Sequence, residues 1–191
     1  DVDVENGMFK ERCEIEVDNS SYVIASSDGK TLYSIADEGV VSFRILPNGS
    51  LARLNSAPIR GMRGCHLCTD EEDKYVFVSG YHDGKTTVLS LNPDGSVGKI
   101  VDGVFDRGYG SVAERNFRPH VTCTRRMPDN RFVLSVDNGI DQVKIYRFND
   151  KEQRLVQVDA IRCELESAPR HFRYSKDGKF IYLMYELKKA I

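Results

Sequence analysis

The sequence DGKTLYSI at residues 28–35 joins a polar turn to a strand-like apolar run, and this block decides the fold because it recurs. Three related blocks follow it: EDKYVFV at residues 72–78, DNRFVLSV at 129–136 and DGKFIYLM at 177–184. The separations are 44, 57 and 48 residues, measured between the matching positions Leu32, Val76, Val133 and Ile181. That period is typical of a four-stranded blade rather than of a helical repeat. The repeat therefore predicts an all-β fold, a β-propeller with four-stranded antiparallel blades.

The composition limits the class of protein. The 191 residues are 40% hydrophobic and 29% charged, which is ordinary for a globular protein. No apolar stretch approaches the roughly 20 residues of a membrane helix and no signal peptide opens the chain, so we expect no membrane partner and a cytoplasmic location. The formal net charge is −2, with no basic stripe for a phosphate backbone. Nucleic acid is therefore not a predicted partner.

Each block is expected to form the second strand of a blade, after an inner strand that begins near the channel. The predicted inner strands are Ser21–Ser26, Cys65–Thr69, His120–Thr124 and Arg170–Tyr174. The predicted units are a blade remnant at 1–17, blades at about 18–60, 61–117 and 118–167, and a truncated blade at 168–191. The Gly-rich, charged stretch Val101–Arg118 has no period and is predicted to be a long loop.

About three to four blades cannot close a ring, since open strand edges and apolar blade faces would remain. We therefore expect a portion of a larger propeller, whose other blades are supplied by missing sequence or by another copy. A channel site that is built from several blades would be incomplete without them, so we expect that the chain alone can be inactive.

The five cysteines are an odd number and lie in strand-like segments, as buried reduced thiols do. The pair Cys65 and Cys68 flanks His66 and suggests a metal site. Side chains three apart on a strand face opposite sides of the sheet, however, and a second pair of ligands is missing. No metal is predicted. The glycines Gly108 and Gly110 open no strand-to-helix unit, so no dinucleotide or other cofactor is predicted.

Four stretches resemble the lactonase-type seven-bladed β-propellers, a family that includes bacterial 6-phosphogluconolactonases and fungal carboxymuconate-lactonizing enzymes. They are Cys65–Asp70 with Tyr81–Gly84, Gly108–Gly110 with Arg115–Asn116 and Arg118–Val121, Asp137–Val143, and Pro169–His171 with Tyr185–Leu187. The resemblance runs in the right order over nearly the whole chain, but it covers only part of a seven-bladed ring. Gly80, Thr122 and Tyr185 depart from the family pattern, so the resemblance does not specify the substrate.

The resemblance implies a lactone hydrolase that acts on a small anionic sugar-derived lactone, with 6-phosphogluconolactone as the first candidate, at the central channel. One alternative is a carboxymuconate-type lactonizing cyclase. The other is a propeller that only binds ligands or proteins. These three readings stay open at the level of the sequence.

The resemblance also implies a set of site residues. The family's catalytic set maps onto His120, Arg170 and Glu186. Arg170 would clamp an anion and stabilise an oxyanion, and either Glu186 or His120 would act as the base. His66, Arg118 and His171 are expected to bind substrate, with His171 orienting Arg170. All three have plain structural alternatives, because His66 can tie adjacent blades through a backbone hydrogen bond, His171 can pack between blades and Arg118 can simply be solvated.

The entries of the inner strands should converge at one mouth of the channel. The repeats put His66, His120 and Arg170 at such entries, and we expect them at equivalent positions. Asp137 and Asp141 flank a turn, where an Asp side chain commonly accepts backbone N–H groups. A structural role is therefore predicted for both, in preference to calcium binding.

Overall fold

The computed structural model describes residues 2–111, 117–188 and 191, and regular structure in that part is entirely β. The strands are β1 (Val2–Asp3), β2 (Met8–Phe9), β3 (Val23–Ala25), β4 (Thr31–Ile35), β5 (Gly39–Ile45), β6 (Leu51–Pro58), β7 (His66–Thr69), β8 (Tyr75–Gly80), β9 (Lys85–Leu91), β10 (Val97–Phe105), β11 (Val121–Arg126), β12 (Val133–Asp137), β13 (Gln142–Asn149), β14 (Arg154–Arg162), β15 (Pro169–Tyr174) and β16 (Ile181–Tyr185). Within these residues no helix is present that could cross a membrane.

Consecutive antiparallel strands form every sheet. The first sheet is β3–β6, the second is β7–β10, the third is β11–β14, and the fourth consists of β15 and β16. Strands β1 and β2 pair separately, and their side chains are exposed. Each sheet is thus a meander in which every strand pairs with its neighbour along the chain. The predicted all-β fold with four-stranded antiparallel units is confirmed.

The repeated block is a turn held by its own aspartate. Asp28 Oδ1 accepts the Lys30 N–H at 3.0 Å, and Asp129 and Asp177 accept the N–H two residues on in the same way. The backbone N–H of Lys30 and then the Ser26 hydroxyl lower the pKa of Asp28 to about 2. The middle residue of each of the four turns has φ between 50° and 69°, a left-handed conformation that glycine, asparagine and aspartate tolerate best. That requirement explains Gly29, Asp73, Asn130 and Gly178.

The predicted loop at Val101–Arg118 is wrong over its first five residues. Residues 101–105 continue β10, the outermost strand of the second sheet. The ladder between β9 and β10 carries register shifts, and these disrupt the alternation of apolar and polar residues by which strands are recognised. Residues 106–111 have no regular structure, and the rest of the predicted loop includes residues 112–116, which lie outside the described part.

Three apolar clusters join the sheets face to face. The first packs Tyr33 and Ile35 of the first sheet against Leu67 and Val76 of the second. Phe77 and Phe148, whose rings meet edge to face at 5.7 Å, belong to the cluster between the second and third sheets. The third cluster buries Phe172 of the fourth sheet against the third sheet. Face-to-face stacking of successive sheets is the arrangement of propeller blades.

Four hydroxyl groups form a buried cluster between the second and third sheets. Thr124 Oγ1 lies 3.0 Å from Ser79 Oγ, 3.3 Å from Thr86 Oγ1 and 3.1 Å from Ser135 Oγ. Thr86 and Ser135 also contact each other at 3.0 Å. A buried hydroxyl needs a hydrogen-bond partner, and here each of them finds one in the cluster. The junction between these two sheets therefore combines apolar packing with directional polar contacts.

Candidate functional site

The predicted catalytic residues lie at the end of the sheets where inner strands begin. His120 directly precedes β11, Arg170 is the second residue of β15, and Glu186 directly follows β16. His120 lies between the second and third sheets, and the other two lie at the junction of the third and fourth sheets.

His120 is buried, and the neighbouring turn sets its ring. Nδ1 lies 2.6 Å from the Tyr81 carbonyl oxygen, and the two rings stack with centroids 4.3 Å apart. A carbonyl oxygen can only accept, so Nδ1 carries the proton and Nε2 keeps its lone pair. Burial is the main cause that lowers the pKa of His120, with smaller contributions from Arg118 and His82. The imidazole is therefore neutral near pH 7, with a basic Nε2.

The backbone of His120 is fixed by the following turn. Asp137 Oδ1 accepts the His120 N–H at 2.8 Å and the Gly139 N–H at 3.0 Å. The predicted structural role of Asp137 is confirmed, and that of Asp141 is too, because its carboxylate accepts the N–H groups of Glu166 and Ala168. A Cβ at Gly139 would lie 1.8 Å from the carbonyl oxygen of Arg118. Only glycine fits here, since backbone atoms approach that closely.

Arg170 and Glu186 form an ion pair at the entry of the fourth sheet. Arg170 Nη1 donates to Glu186 Oε2 at 2.7 Å, and the side chains are 43% and 31% exposed. The same carboxylate oxygen accepts from the Asn138 amide at 3.3 Å. Glu186 therefore holds the guanidinium in place, and the guanidinium still has a face open to solvent.

A path of hydrogen bonds links His120 to that ion pair. The backbone N–H of Asn138 donates to the His120 carbonyl oxygen at 2.9 Å, and the Asn138 side chain contacts Glu186. Thr122, two residues after His120, donates from its hydroxyl to the Arg170 carbonyl oxygen at 2.7 Å. The fold thus gathers His120, Arg170 and Glu186 from positions up to 66 residues apart in the sequence.

His66 lies deeper than the other predicted residues. It is fully buried, its Nε2 lies 3.3 Å from Arg125 Nη2 and 3.5 Å from the Cys123 thiol, and its ring packs 4.7 Å from that of Tyr22. Burial, followed by the nearby cation of Arg125, lowers the pKa of His66 to about 2. The ring of His66 contacts side chains of neighbouring sheets. Within the described part of the chain, it does not make the backbone hydrogen bond between blades that was the structural alternative for this residue.

Arg118 and His171 border the site in different ways. Arg118 is exposed with its guanidinium 5.7 Å from the Phe117 ring, which in turn lies 6.4 Å from the ring of His120. His171 is half-buried and lies next to Arg170 on β15, where a bulge between Pro169 and His171 interrupts the regular alternation of side chains. Its ring is 6.1 Å from that of His66 and helps to line an open cavity of about 410 Å³.

The expectation that His66, His120 and Arg170 occupy equivalent positions is wrong. One backbone hydrogen bond closes the turn after each of the three inner strands. The donor and acceptor are Asp70 N and Tyr75 O, Met127 N and Phe132 O, and Ser175 N and Phe180 O, and these bonds define equivalent positions in the three strands. Counted back from these bonds, His66 matches Cys123 and His171. His120 and Arg170 lie three residues and one residue before these matching positions, and the ladders also contain bulges between Val121 and Cys123 and between Pro169 and His171. The three residues share one end of the sheets, but not one position.

Two residues of the site were missed by the sequence-based reasoning. Tyr81 supplies the carbonyl and the ring that orient His120, and Asn138 supplies the amide that contacts Glu186. A signal was present, because Tyr81, Asn138 and Glu186 are each the first residue after the second strand of their sheet. That position faces the neighbouring sheet in each case.

The cysteines beside His66 have ordinary structural contacts. The Cys65 thiol donates to the Val121 carbonyl oxygen at 3.4 Å, and the Cys68 thiol donates to its neighbour Thr69 at 3.0 Å. Burial raises the pKa of Cys65 to about 11, which keeps its sulfur protonated. Across the described ranges, no three His, Cys, Asp or Glu side chains come close enough to hold a metal ion.

Comparison with known proteins gives consistent relatives. The chain is 31% identical over 178 residues to the 6-phosphogluconolactonase of Bacillus subtilis (strain 168), a match covering 91% of this chain and 50% of that protein. A crystal structure of a candidate 6-phosphogluconolactonase of Bacteroides fragilis NCTC 9343 superposes with a TM-score of 0.89 at 31% identity, covering 97% of this chain and 55% of that one. The periplasmic gluconolactonase PpgL of Pseudomonas aeruginosa superposes with a TM-score of 0.90 at 25% identity, covering 97% and 56%.

These matches show how much of a family member the chain spans, and they bear on its predicted cellular location. The chain spans about half the length of the curated relatives it matches. Because the Pseudomonas relative is named periplasmic, the cytoplasmic location stays a prediction. All of residues 1–191 match the family described as lactonase, 7-bladed beta-propeller. The chain therefore belongs to the lactonase family of seven-bladed β-propellers, as the sequence motifs indicated.

Proposed function

We propose that the full protein is a lactone hydrolase that acts on a small anionic sugar-derived lactone, with 6-phosphogluconolactone as the first candidate, at the mouth formed by His120, Arg170 and Glu186. Support comes from the family, from relatives named 6-phosphogluconolactonase and gluconolactonase, and from the chemistry of these side chains. The single observation that carries the proposal is the bond from His120 Nδ1 to the Tyr81 carbonyl oxygen, because it leaves a basic Nε2.

In this proposal His120 is the general base. Nε2 removes a proton from a water molecule as the water oxygen attacks the lactone carbonyl carbon. The lowered pKa of His120 keeps the ring neutral and able to accept that proton. The developing imidazolium is held through Nδ1–H by the Tyr81 carbonyl oxygen.

Arg170 is proposed to stabilise the oxyanion of the tetrahedral intermediate. Its guanidinium is held at one nitrogen by Glu186 and is partly exposed, so the remaining N–H donors can face a substrate. Collapse of the intermediate breaks the bond from carbon to the ring oxygen, and His120 returns its proton to that leaving oxygen. The products are a hydroxy acid and the unprotonated base, so the step consumes one water and no other reagent.

An anionic substrate is favoured by the charges around the mouth. Arg118 lies beside His120, while Arg170, Arg173 and Arg125 lower the pKa of His171 through their positive charge, after the larger effect of burial. A phosphate or carboxylate group on the lactone would be attracted to such a region. His171 and Arg118 are proposed to contact that group, and His66 is proposed to support the channel wall near them.

The test uses the full-length protein and the substitution His120→Asn. The Asn amide can still donate to the Tyr81 carbonyl oxygen, whereas the basic nitrogen is lost. We expect kcat/KM for 6-phosphogluconolactone to fall about 10²-fold or more after subtraction of spontaneous hydrolysis. The matched control is His82→Asn, an exposed histidine in the adjacent turn, which should keep the wild-type rate.

Three outcomes would overturn the proposal. Wild-type turnover in His120→Asn would remove the base from the mechanism. Activity on carboxymuconate with none on sugar lactones would instead establish the cyclase, and binding of lactone without turnover would establish a binding propeller.

A further inference from the structure

Two buried carboxyl groups meet beneath His120. Asp137 ends β12 and is fully buried, and Asp106 directly follows β10 and is only 8% exposed. The two side chains lie within hydrogen-bonding reach of each other. Neither residue has a part in the proposed mechanism.

The donors around the pair satisfy only one oxygen of each group. Asp137 Oδ1 accepts two backbone N–H groups, as described above, and Asp106 Oδ1 accepts the Tyr146 hydroxyl at 2.7 Å. Oδ2 of both carboxyls is buried and receives no N–H or O–H from the residues for which side chains are described. A proton carried by one carboxyl and donated to the other would supply the missing donor.

Charge repulsion between the two carboxyl groups also requires a proton on one of them. Two adjacent carboxylates cannot both ionise in a buried site without a large penalty. Burial and then the charge of Asp106 raise the pKa of Asp137 to about 8, and burial raises the pKa of Asp106. The charged and titratable groups that face the pair are Lys144 and Tyr146 of β13 and His120 before β11. Lys144 favours ionisation of Asp106, which leaves one negative charge and one proton for the two groups.

The pair also connects the two turns that hold His120. The Asp106 N–H donates to the Gly84 carbonyl oxygen at 2.8 Å, and Gly84 belongs to the turn that contains Tyr81. On the other side, Asp137 holds the N–H groups of His120 and Gly139. His120 therefore lies between two turns, and the Asp106–Asp137 contact joins them.

We propose that Asp106 and Asp137 share one proton, that this proton fastens the two turns around His120, and that its loss in alkaline solution drives the carboxyls apart and releases the His120 backbone. Asp106 and Asp137 are thus positioning residues in a pH-sensitive device. The structural part stands without any enzymatic activity, and only its consequence for catalysis rests on the proposed function.

The direction of the pH effect follows from proton linkage. The native pair holds a proton that an unfolded Asp, with an ordinary pKa of 3.8, has lost above about pH 4. The native state therefore binds more protons than the unfolded state between about pH 4 and pH 8. The contribution of the pair to stability is complete below that window and declines as the pH rises through it.

The experiment follows the backbone amide resonances of His120 and Gly139 by NMR from pH 6 to pH 9.5, because both N–H groups donate to Asp137. In the unsubstituted chain we expect both signals to move with one midpoint near pH 8. Asp106→Asn keeps a hydrogen-bonding side chain but removes the second charge, so the step should disappear. Tyr146→Phe removes a donor that favours the ionised form of Asp106, so the midpoint should rise.

The matched control is Asp102→Asn, the same chemical change four residues earlier, within β10, where the carboxylate accepts the Leu155 N–H instead. It should leave the midpoint unchanged. The inference fails if the two amides show no common step, or if the step persists in Asp106→Asn. If Asp106→Asn does not fold, the shift in Tyr146→Phe decides, and an unmoved midpoint there overturns the inference. No substrate is used, so absence of lactonase activity cannot be mistaken for failure here.

Discussion

The arginine and carboxylate clusters around Arg126 and Arg170 differ in access to solvent. Arg126, the last residue of β11, is 5% exposed and binds Asp150 at 2.9 Å, with the 2%-exposed Asp70 at 3.6 Å. The same guanidinium also donates to the Asn130 carbonyl oxygen and lies 5.4 Å from the Phe148 ring. The pair of Arg170 and Glu186, at the opposite end of the inner strands, is far more open.

The comparison separates a structural arginine from one that can bind a ligand. The donors of Arg126 are occupied by protein acceptors, and Asp70 itself accepts the backbone N–H groups of Lys74 and Tyr75. Arg170 is held by one carboxylate and keeps an exposed face. Both clusters pair an arginine with carboxylate groups, and burial distinguishes their roles.

The strongest test removes the buried arginine. Arg126→Ala leaves the Asp70 carboxyl buried without its cation, and burial already raises the pKa of that group. We expect a loss of about 3–5 kcal/mol in the free energy of unfolding, measured by urea denaturation. Arg131→Ala, which breaks an exposed pair with Asp129, serves as the control and should cost less than about 1 kcal/mol. Equal losses would remove the distinction by burial.

The second test removes the open arginine in the full-length protein. Arg170→Ala should lower kcat/KM for the lactone by about 10²-fold, or about 2.7 kcal/mol in transition-state stabilisation, because an oxyanion donor is lost. Stability should change by less than about 1 kcal/mol, since the ion pair is partly solvated. Arg170→Lys keeps the charge without the planar fork, so its kcat/KM should lie between those of the wild type and Arg170→Ala. A stability loss as large as that of Arg126→Ala would show that Arg170 is structural.

A third test extends the contrast to the histidines. Below pH 6.5 the unfolded chain protonates His66 while the native state, with a pKa of about 2, does not. Stability therefore falls as the pH falls, by about 2 kcal/mol at pH 5. The urea midpoint of the unsubstituted chain should therefore be lower at pH 5 than at pH 7. In His66→Gln the difference between the two midpoints should be smaller by the contribution of His66. If its pH dependence matches that of the unsubstituted chain, His66 is not held neutral.

The strands and turns could be read from the sequence because they depend on local chemistry. Three of the four blocks begin with a turn aspartate, and all four combine a left-handed middle residue with an apolar run; each of these features acts within a few residues. The predicted fold followed, because every sheet pairs strands that are neighbours in the chain.

The details of the site depend on features that no local pattern records. Bulges at the start of β11 and β15 change the strand pairing beside His120 and Arg170, and the repeat spacing does not record them. Asp106 lay in a stretch predicted as loop, and its partner Asp137 was recognised only as a turn residue. The roles of Tyr81 and Asn138 arise from contacts between sheets, which sequence spacing alone does not predict.

The hydroxyl cluster between the second and third sheets has a further consequence for motion. Its hydrogen bonds can reverse direction by rotation of Ser and Thr hydroxyls, without movement of heavy atoms and without any charge. It is therefore indifferent to pH, whereas the carboxyl pair at the edge of the same junction is not. We expect alkaline conditions to loosen this junction at one end only, so that the sheets would swing as a hinge about the hydroxyl cluster and open beside His120.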